Sequence, residues 1–253
     1  MNFLHKARRA TLVAQQLFVA WGHYRQLKKQ PQPRFDLLLK DSWLHLRDAT
    51  AKTRFDRHYV FHTSWAARVL AETRPKEHLD IASSLYFVGS ISAFIPTRFL
   101  DFRPADLGLS GLSSEPGNLS KLALEDGSVE SLSCMHVVEH VGLGRYGDPL
   151  DYNGDLGAAS ELSRVLADNG NLLFVVPVGG EARIQFNAHR IYTYDQVVNL
   201  FPDLELVEFA LIPDDGAKEG LIRHAEPELT AAQRYACGCF HFRKPSLSKS
   251  DKP

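Results

Sequence analysis

Cys134-Met-His-Val-Val-Glu-His-Val141 decides the fold once its flanks are included. Leu124-Glu-Asp-Gly-Ser-Val-Glu-Ser-Leu-Ser133 precedes it, and Glu161-Leu-Ser-Arg-Val-Leu-Ala-Asp-Asn-Gly-Asn-Leu-Leu-Phe-Val-Val-Pro177 follows a little later. The apolar run, polar loop, helix-forming segment, Asp-Asn-Gly turn and second apolar run read as strand, loop, helix, turn, strand. His136, Glu139 and His140 gather where the first strand ends. In an open α/β sheet, ligands bind in the crevice outside the carboxyl ends of the strands. A pocket near His140 is therefore the first functional expectation.

Outward from this unit, strands and helices alternate, the pattern of a parallel sheet. Strands are expected at 77–82, 97–102, 119–124, 131–137, 171–177, 204–211 and 234–243, and helices at 86–95, 155–166 and 193–201. The last two strands are joined without a strong helix, so they are expected to be antiparallel neighbours. Ahead of the sheet, 62–73 and the polar stretch 36–57 read as helical. Phe3, Ala7, Ala10, Ala14, Leu17, Trp21 and Tyr24 recur at spacings of three and four, so 2–30 reads as one amphipathic helix, stopped by Pro31-Gln-Pro33. The expected organisation is a basic helical extension over 1–57, the main domain over 58–243 and a frayed tail over 244–253, which is rich in Ser, Lys and Pro.

A chain of 253 residues with 44% hydrophobic and 23% charged residues is that of a soluble globular protein with one well-filled α/β domain and an appendage. Its net charge of −1 hides an asymmetry. Residues 1–57 carry twelve Lys/Arg against four Asp, leaving seventeen against twenty-six beyond them. The acidic part holds the candidate site, so no nucleic acid is expected there. Cys134, Cys237 and Cys239 are the only cysteines, too few and too poorly placed for a disulfide framework, which points to a reducing, cytoplasmic setting. The basic, partly apolar N-terminus imitates a signal peptide, but Gln15 and Gln16 interrupt the run and no small-residue cleavage site follows. The helix over 1–30 either packs on its own domain, forms a homodimer seam or lies on the inner face of a membrane, where its Lys/Arg, Phe18 and Trp21 favour peripheral contact.

Leu79-Asp-Ile-Ala-Ser-Ser84, Phe99-Leu-Asp-Phe102, Leu122-Ala-Leu-Glu-Asp-Gly-Ser-Val129, His136-Val-Val-Glu-His140 and Arg164-Val-Leu-Ala-Asp-Asn-Gly-Asn-Leu-Leu173 together resemble the class I S-adenosylmethionine-dependent methyltransferases. Within them, Ser83-Ser-Leu-Tyr-Phe-Val-Gly89, Asp101-Phe-Arg-Pro104, Gly142-Leu-Gly-Arg-Tyr-Gly-Asp148 and Phe186-Asn-Ala-His-Arg-Ile-Tyr192 resemble the methyltransferase-like family of unknown function DUF268. The resemblance implies a Rossmann-like α/β sheet, mostly parallel with an antiparallel last strand, and S-adenosyl-L-methionine as cofactor. It implies cofactor contacts from Asp80, Ala82, Ser83, Ser84, Gly89, Asp101, Asn118 and His136, with Asp101 accepting both ribose hydroxyls. Glu139 and His140 would face the methyl acceptor.

A histidine of near-neutral pKa can take a proton from an acceptor hydroxyl, and either His140 or His189 is placed to do so. Arg145, Tyr146, Asn187, Arg190 and Tyr192 are the expected substrate contacts. The polar, histidine-bearing crevice suits a hydroxylated small molecule or a glycan, hence O-methylation in carbohydrate biosynthesis.

Asp80-Ile-Ala-Ser-Ser-Leu-Tyr86 departs from the usual Asp/Glu-x-Gly-x-Gly-x-Gly pattern, which supports an alternative: a methyltransferase-fold binding or scaffold protein that transfers nothing. Asp80 and Asp101 then serve only as helix caps. His136-Val-Val-Glu-His140 also fits the zinc-protease pattern H-x-x-E-H, but that chemistry needs a helix where a strand end is expected. Asp151-Tyr-Asn-Gly-Asp155 lacks the glycine and glutamate of a calcium loop. No metal is expected.

Overall fold

In a computed structural model of the chain, residues 3–214 and 219–246 are described, with side chains from Thr11 onward. The chain divides into two compact units, Met1–Phe55 and Asp56–Pro253.

The first unit holds helix α1 (Phe3–Leu27) and a single 3-10 turn at Leu39–Asp41. Tyr24 stacks on Trp21 with ring centroids 5.5 Å apart, and Lys28 Nζ donates to Leu37 O at 2.8 Å, folding the chain back after the helix. No residue of 11–55 is buried. Phe18 is 80% exposed and Trp21 is exposed as well. The helix expected over 36–57 is not formed. Its apolar residues, Leu39, Trp43 and Leu44 among them, are exposed and have no surface to pack on, and short side chains bond locally instead, as Thr50 Oγ1 does to Lys52 O. The stripe's Phe3, Ala7 and Ala10 lie outside the residues with described side chains. Among the described residues, no helix is long and apolar enough to cross a membrane.

The second unit begins with α2 (Arg57–Thr73), five residues earlier than expected, because Asp56 caps it by accepting from Tyr59 N at 3.1 Å. There follow β1 (His78–Ile81), α3 (Leu85–Ile91), β2 (Thr97–Asp101), β3 (Leu112–Pro116), β4 (Val129–Met135), α4 (Gly154–Val165), β5 (Leu166–Val178), β6 (Arg183–Gln185), β7 (His189–Ile191), α5 (Tyr194–Asn199), β8 (Glu205–Ile212) and β9 (Ala236–Arg243). The main sheet runs β3-β2-β1-β4-β5-β9-β8. Its strands from β3 to β5 pair in parallel, and β9 runs antiparallel between β5 and β8. Thus the last strand is antiparallel, as expected, but it is inserted inside the sheet.

Two layers of core explain the apolar runs of β4 and β5, which are covered on both faces. Leu132, Cys134, Leu172, Phe174 and Val176 point into one cluster with Leu162 of α4 and Val197 of α5. Met135, Leu173 and Val175 point into the other with Trp65, Val69 and Leu70 of α2 and Phe87, Val88 and Ile91 of α3. One expectation fails at the far edge. The strand expected at 119–124 is a turn, in which Asn118 Oδ1 accepts from Ser120 N at 2.9 Å and Leu119 and Leu122 are buried as anchors. The real edge strand is β3, Leu112-Ser-Ser-Glu-Pro116, none of whose residues is fully buried. The 183–191 segment, where no strand is expected, forms the β6–β7 hairpin.

Strand order reverses between β1 and β4, which grow the sheet in opposite directions. At such a switch point the loops leaving two neighbouring strands diverge and open a crevice. That crevice is the candidate site.

Candidate active site

A cavity of about 380 Å³ lies against the ends of β1, β2 and β4, with Ala82, Asp101, Asn118, His136, His140 and Tyr146 in its wall. Ile81, Leu100 and Leu119 add apolar surface. The volume lies within the range of small-molecule sites, roughly 300–1,000 Å³.

The two residues that leave β1 and β4 are both left-handed: Ala82 has φ 52° and His136 φ 58°. Such backbone costs a non-glycine residue roughly 1–3 kcal/mol and persists only where surroundings hold it. Here they do. Asp80, fully buried, accepts from Ser83 N at 3.0 Å and from the Ser133 hydroxyl of β4. Ser83 Oγ in turn accepts from Met135 N at 3.0 Å, and His136 N donates to Val175 O at 2.8 Å. His78 continues the chain of contacts, its ring nitrogens 2.8 Å from Ser131 Oγ and Ser133 Oγ. Burial pushes the Asp80 carboxyl up to about 6, against the hydrogen bonds from Ser133 and Ser83. Burial lowers His78 to about 3.

The expected cofactor contacts therefore separate into two groups. Ala82, Asp101, Asn118 and His136 line the cavity. Asp80, Ser83, Ser84 and Gly89 stand behind its wall: the first two lock the turn, Ser84 precedes α3, and Gly89 lies in α3, where an added Cβ would meet Leu109 at 3.5 Å. Asp101 accepts from Arg103 N at 2.7 Å, which holds the loop after β2.

Past the end of β4, Val138–His140 form one 3-10 turn that brings Glu139 beneath both histidines. Glu139 is 1% exposed, its Oε1 2.8 Å from His136 Nδ1 and 3.7 Å from His140 Nε2, while its Oε2 has no hydrogen-bond partner. His140 Nδ1 lies 2.6 Å from Ala188 O and 3.3 Å from Arg145 Nη1; the shorter contact, to a carbonyl that can only accept, favours the ring proton on Nδ1 and Nε2 as the basic nitrogen. Burial lowers the His140 pKa, outweighing the opposing pull of Glu139 and Ala188, so the ring is neutral near pH 7. Tyr146 meets His140 edge-on at 5.7 Å, with the Arg103 and Arg145 guanidinium groups 5.3 and 5.1 Å from the Tyr146 ring centre. Arg145 also donates to Ala188 O at 3.1 Å.

His189 is 6.2 Å from His140, ring to ring, but it stacks on Tyr235 at 5.1 Å, and its Nε2 is buried without a partner. Burial lowers its pKa too.

Arg190 and Tyr192 are not free to contact an acceptor. Arg190 is buried and donates to Val141 O at 2.7 Å and Tyr152 O at 2.9 Å, with Asp155 at 3.5 Å. Tyr192 OH donates to Asp155 Oδ2 at 2.9 Å. Together they fasten the 141–152 loop to α4. Asp148 completes the knot by accepting from Gly142 N at 2.8 Å and Gly144 N at 3.3 Å. Gly142 is required there: it has φ 79°, and a Cβ would lie 2.0 Å from Asp151 O. Asn187 sits exposed in the turn between β6 and β7.

Sequence reasoning missed the contacts that α2 and β9 make with His136. The His136 ring stacks on His58 at 5.4 Å and Tyr59 at 5.7 Å, and meets His62 edge-on at 5.0 Å. Cys237 Sγ lies 3.4 Å from His136 Nε2. The signal available was the i, i+4 pair His58 and His62, which share one face of a helix.

Seven strands in this order, with one antiparallel strand inserted next to the last position and the cavity at the switch point, settle the architecture. The fold is that of the class I methyltransferases. Solved structures agree. The Bradyrhizobium japonicum N-methyltransferase NodS, in complex with S-adenosylhomocysteine, matches with TM-score 0.52 at 14% identity, over 88% of this chain and 98% of that one. The Burkholderia thailandensis 1,6-didemethyltoxoflavin-N1-methyltransferase matches with TM-score 0.52 at 11% identity, over 74% of this chain and 79% of that one. The [4+2]-cyclase SpnF also matches with TM-score 0.52, at 13% identity, over 73% of this chain and 82% of that one. A cyclase on the same frame means that the fold does not by itself dictate the reaction. Residues 124–212 match the family model described as Caenorhabditis protein of unknown function, DUF268. No curated protein sequence matches the chain.

Proposed function

We propose that the chain is an S-adenosylmethionine-dependent methyltransferase that methylates a hydroxyl of a polar small molecule or glycan. The observation that carries this reading is Asp101 in the wall of the switch-point cavity, at the end of β2, where a carboxylate can accept two ribose hydroxyls. The donor set fits such a cofactor: apolar Ile81, Leu100 and Leu119 offer a slot for a flat base, and Asn118 a polar edge beside it. Ala82 does not spoil the fit through its backbone, because φ 52° is the conformation a glycine would take there.

The bound cofactor supplies an electrophilic methyl group. The chain's own residues position the acceptor and remove its proton. His140, with Nε2 unprotonated, takes that proton, and Glu139 beneath it stabilises the resulting imidazolium. Arg145 and Tyr146 close the side of the cavity nearest His140.

Titration calorimetry tests the cofactor assignment. Wild type should bind S-adenosylmethionine or S-adenosylhomocysteine, and Asp101→Ala should weaken binding by about 1–3 kcal/mol, the loss of a charged acceptor for hydroxyls. Absence of heat with the wild type at millimolar cofactor would leave a binding or scaffold protein on a methyltransferase frame. In the same reading, residues 1–30 attach the enzyme to an anionic lipid surface through Phe18, Trp21 and the flanking Lys/Arg, each cation adding up to about 1 kcal/mol at low salt. Deleting 1–30 should abolish sedimentation with anionic vesicles and leave cofactor affinity unchanged. Loss of a dimer on deletion, with no vesicle binding by the full chain, would make the helix a subunit seam.

A further inference from the structure

We propose that His58, His136 and Cys237 form a binding site for one zinc-class divalent ion, at the edge of the switch-point cavity. The three come from separate elements: the first turn of α2, the residue following β4 and the second residue of β9. One ligand atom from each lies within 4.8 Å of the others. A tetrahedral shell with Zn–N about 2.0–2.1 Å and Zn–S about 2.3 Å sets ligand atoms roughly 3.4–3.6 Å apart. The His136 Nε2 to Cys237 Sγ separation is already 3.4 Å, so that pair stands at ligand spacing and the adjustment on binding falls to His58.

Three further observations favour a metal over a plain packed histidine cluster. Glu139 holds His136 Nδ1 at 2.8 Å, which fixes the proton on that nitrogen and presents Nε2 as a lone pair on the Cys237 side. A carboxylate behind a histidine is the usual support of a metal ligand. The same cluster also contains two buried polar atoms without hydrogen-bond partners, Glu139 Oε2 and His62 Nε2. Neither atom is one of the three ligands, but both mark an incompletely satisfied polar environment around His136, which a water on the ion's fourth position would help to complete. Finally, two imidazoles with one thiolate are a borderline-soft donor set that suits zinc and excludes calcium or magnesium, which take oxygen ligands.

Cys237 is fully buried and makes no disulfide. On binding, its thiol proton leaves to solvent and the thiolate bonds the ion. Three protein ligands leave the fourth position for water or for an oxygen of a bound small molecule. Because His136 also lines the cavity, the ion and the proposed acceptor share a wall.

The full chain, stripped with chelator and dialysed against zinc alone, should retain one equivalent. With cobalt in its place, a thiolate-to-cobalt charge-transfer band should appear. Cys237→Ser should lose that band, and Glu139→Gln should weaken zinc binding about 10–100-fold. His58→Ala, which alters the accessible first turn of α2, provides a second ligand deletion less exposed to misfolding than a core change, and it should lose the zinc equivalent. Circular dichroism confirms folding of each variant. Wild type that retains no zinc and shows no cobalt band overturns the site, as does undiminished zinc binding by both Cys237→Ser and His58→Ala. Cofactor titration on the same samples is a separate readout, so failure of the metal site and failure of the methyltransferase reading are distinguishable.

Discussion

His140→Ala is expected to lower methyl-transfer turnover, measured on hydroxylated acceptors, by roughly 10²–10⁴ while cofactor affinity stays nearly the same. The contact from Nδ1 to Ala188 O leaves Nε2 as the base, and Glu139 Oε1, 3.7 Å away, gains an attraction only when the ring becomes charged. In the proposed reaction that attraction would strengthen as the proton is transferred, and so would lower the barrier. Burial depresses the His140 pKa below its ordinary 6.5. As the proposed base, His140 is therefore deprotonated at neutral pH, and activity should fall only through an acidic limb that lies below 6.5. In the variant this acidic limb should disappear. His189→Ala should cost less, because its Nε2 is buried and its ring is committed to Tyr235. Full activity of His140→Ala would leave proximity alone as the catalytic device.

The parts of this site that were legible in the sequence are those encoded locally. β4 and β5 are long apolar runs flanked by turn residues, so their pairing and the place where His136 emerges follow from periodicity. β3 was not legible, because Leu112-Ser-Ser-Glu-Pro116 is an edge strand with little to bury, while Leu119 and Leu122 imitated a strand by anchoring a turn.

Arg190 and Tyr192 show a different limit. Their types suit substrate binding, but whether a guanidinium faces a cavity or the carbonyls of Val141 and Tyr152 is decided by a loop packed from elsewhere. The Ala82 substitution was visible, yet its meaning was not. The surrounding hydrogen bonds of Asp80 and Ser83 keep the left-handed turn without glycine. His58 and Cys237 converge on His136 only because α2 packs against β8 and β9, a tertiary contact that no local pattern announces.

That packing of α2 is reinforced by an ion pair whose carboxylate is buried and whose guanidinium is partly exposed, and Arg223→Met should destabilise the protein in denaturant unfolding by less than the roughly 3–5 kcal/mol of a fully buried pair. Glu208 of β8 has a side chain only 3% exposed, and its two oxygens accept from Arg223 Nη2 at 2.6 Å, Arg223 Nε at 2.8 Å and Trp65 Nε1 of α2 at 3.2 Å. Arg223 reaches on to Glu72 of α2 at 2.7 Å. Burial alone would push the Glu208 carboxyl up, but the hydrogen bonds and charge of Arg223 prevail and hold it below the usual range. Removing the guanidinium leaves a buried carboxylate with one indole N–H, and the desolvation cost is no longer offset. Glu72→Gln, at an exposed position, should cost less than about 1 kcal/mol. The sign of the pH effect follows from the same shift. A depressed carboxyl pKa contributes stability that is present above the unfolded value and lost as pH falls through the folded one. In Arg223→Met the Glu208 pKa rises, so acid neutralises the stranded charge, and the stability gap to wild type should narrow as the pH falls toward 4. A gap that stays constant from neutral to acid pH would mean that Arg223 stabilises by packing its stem and not by pairing with Glu208.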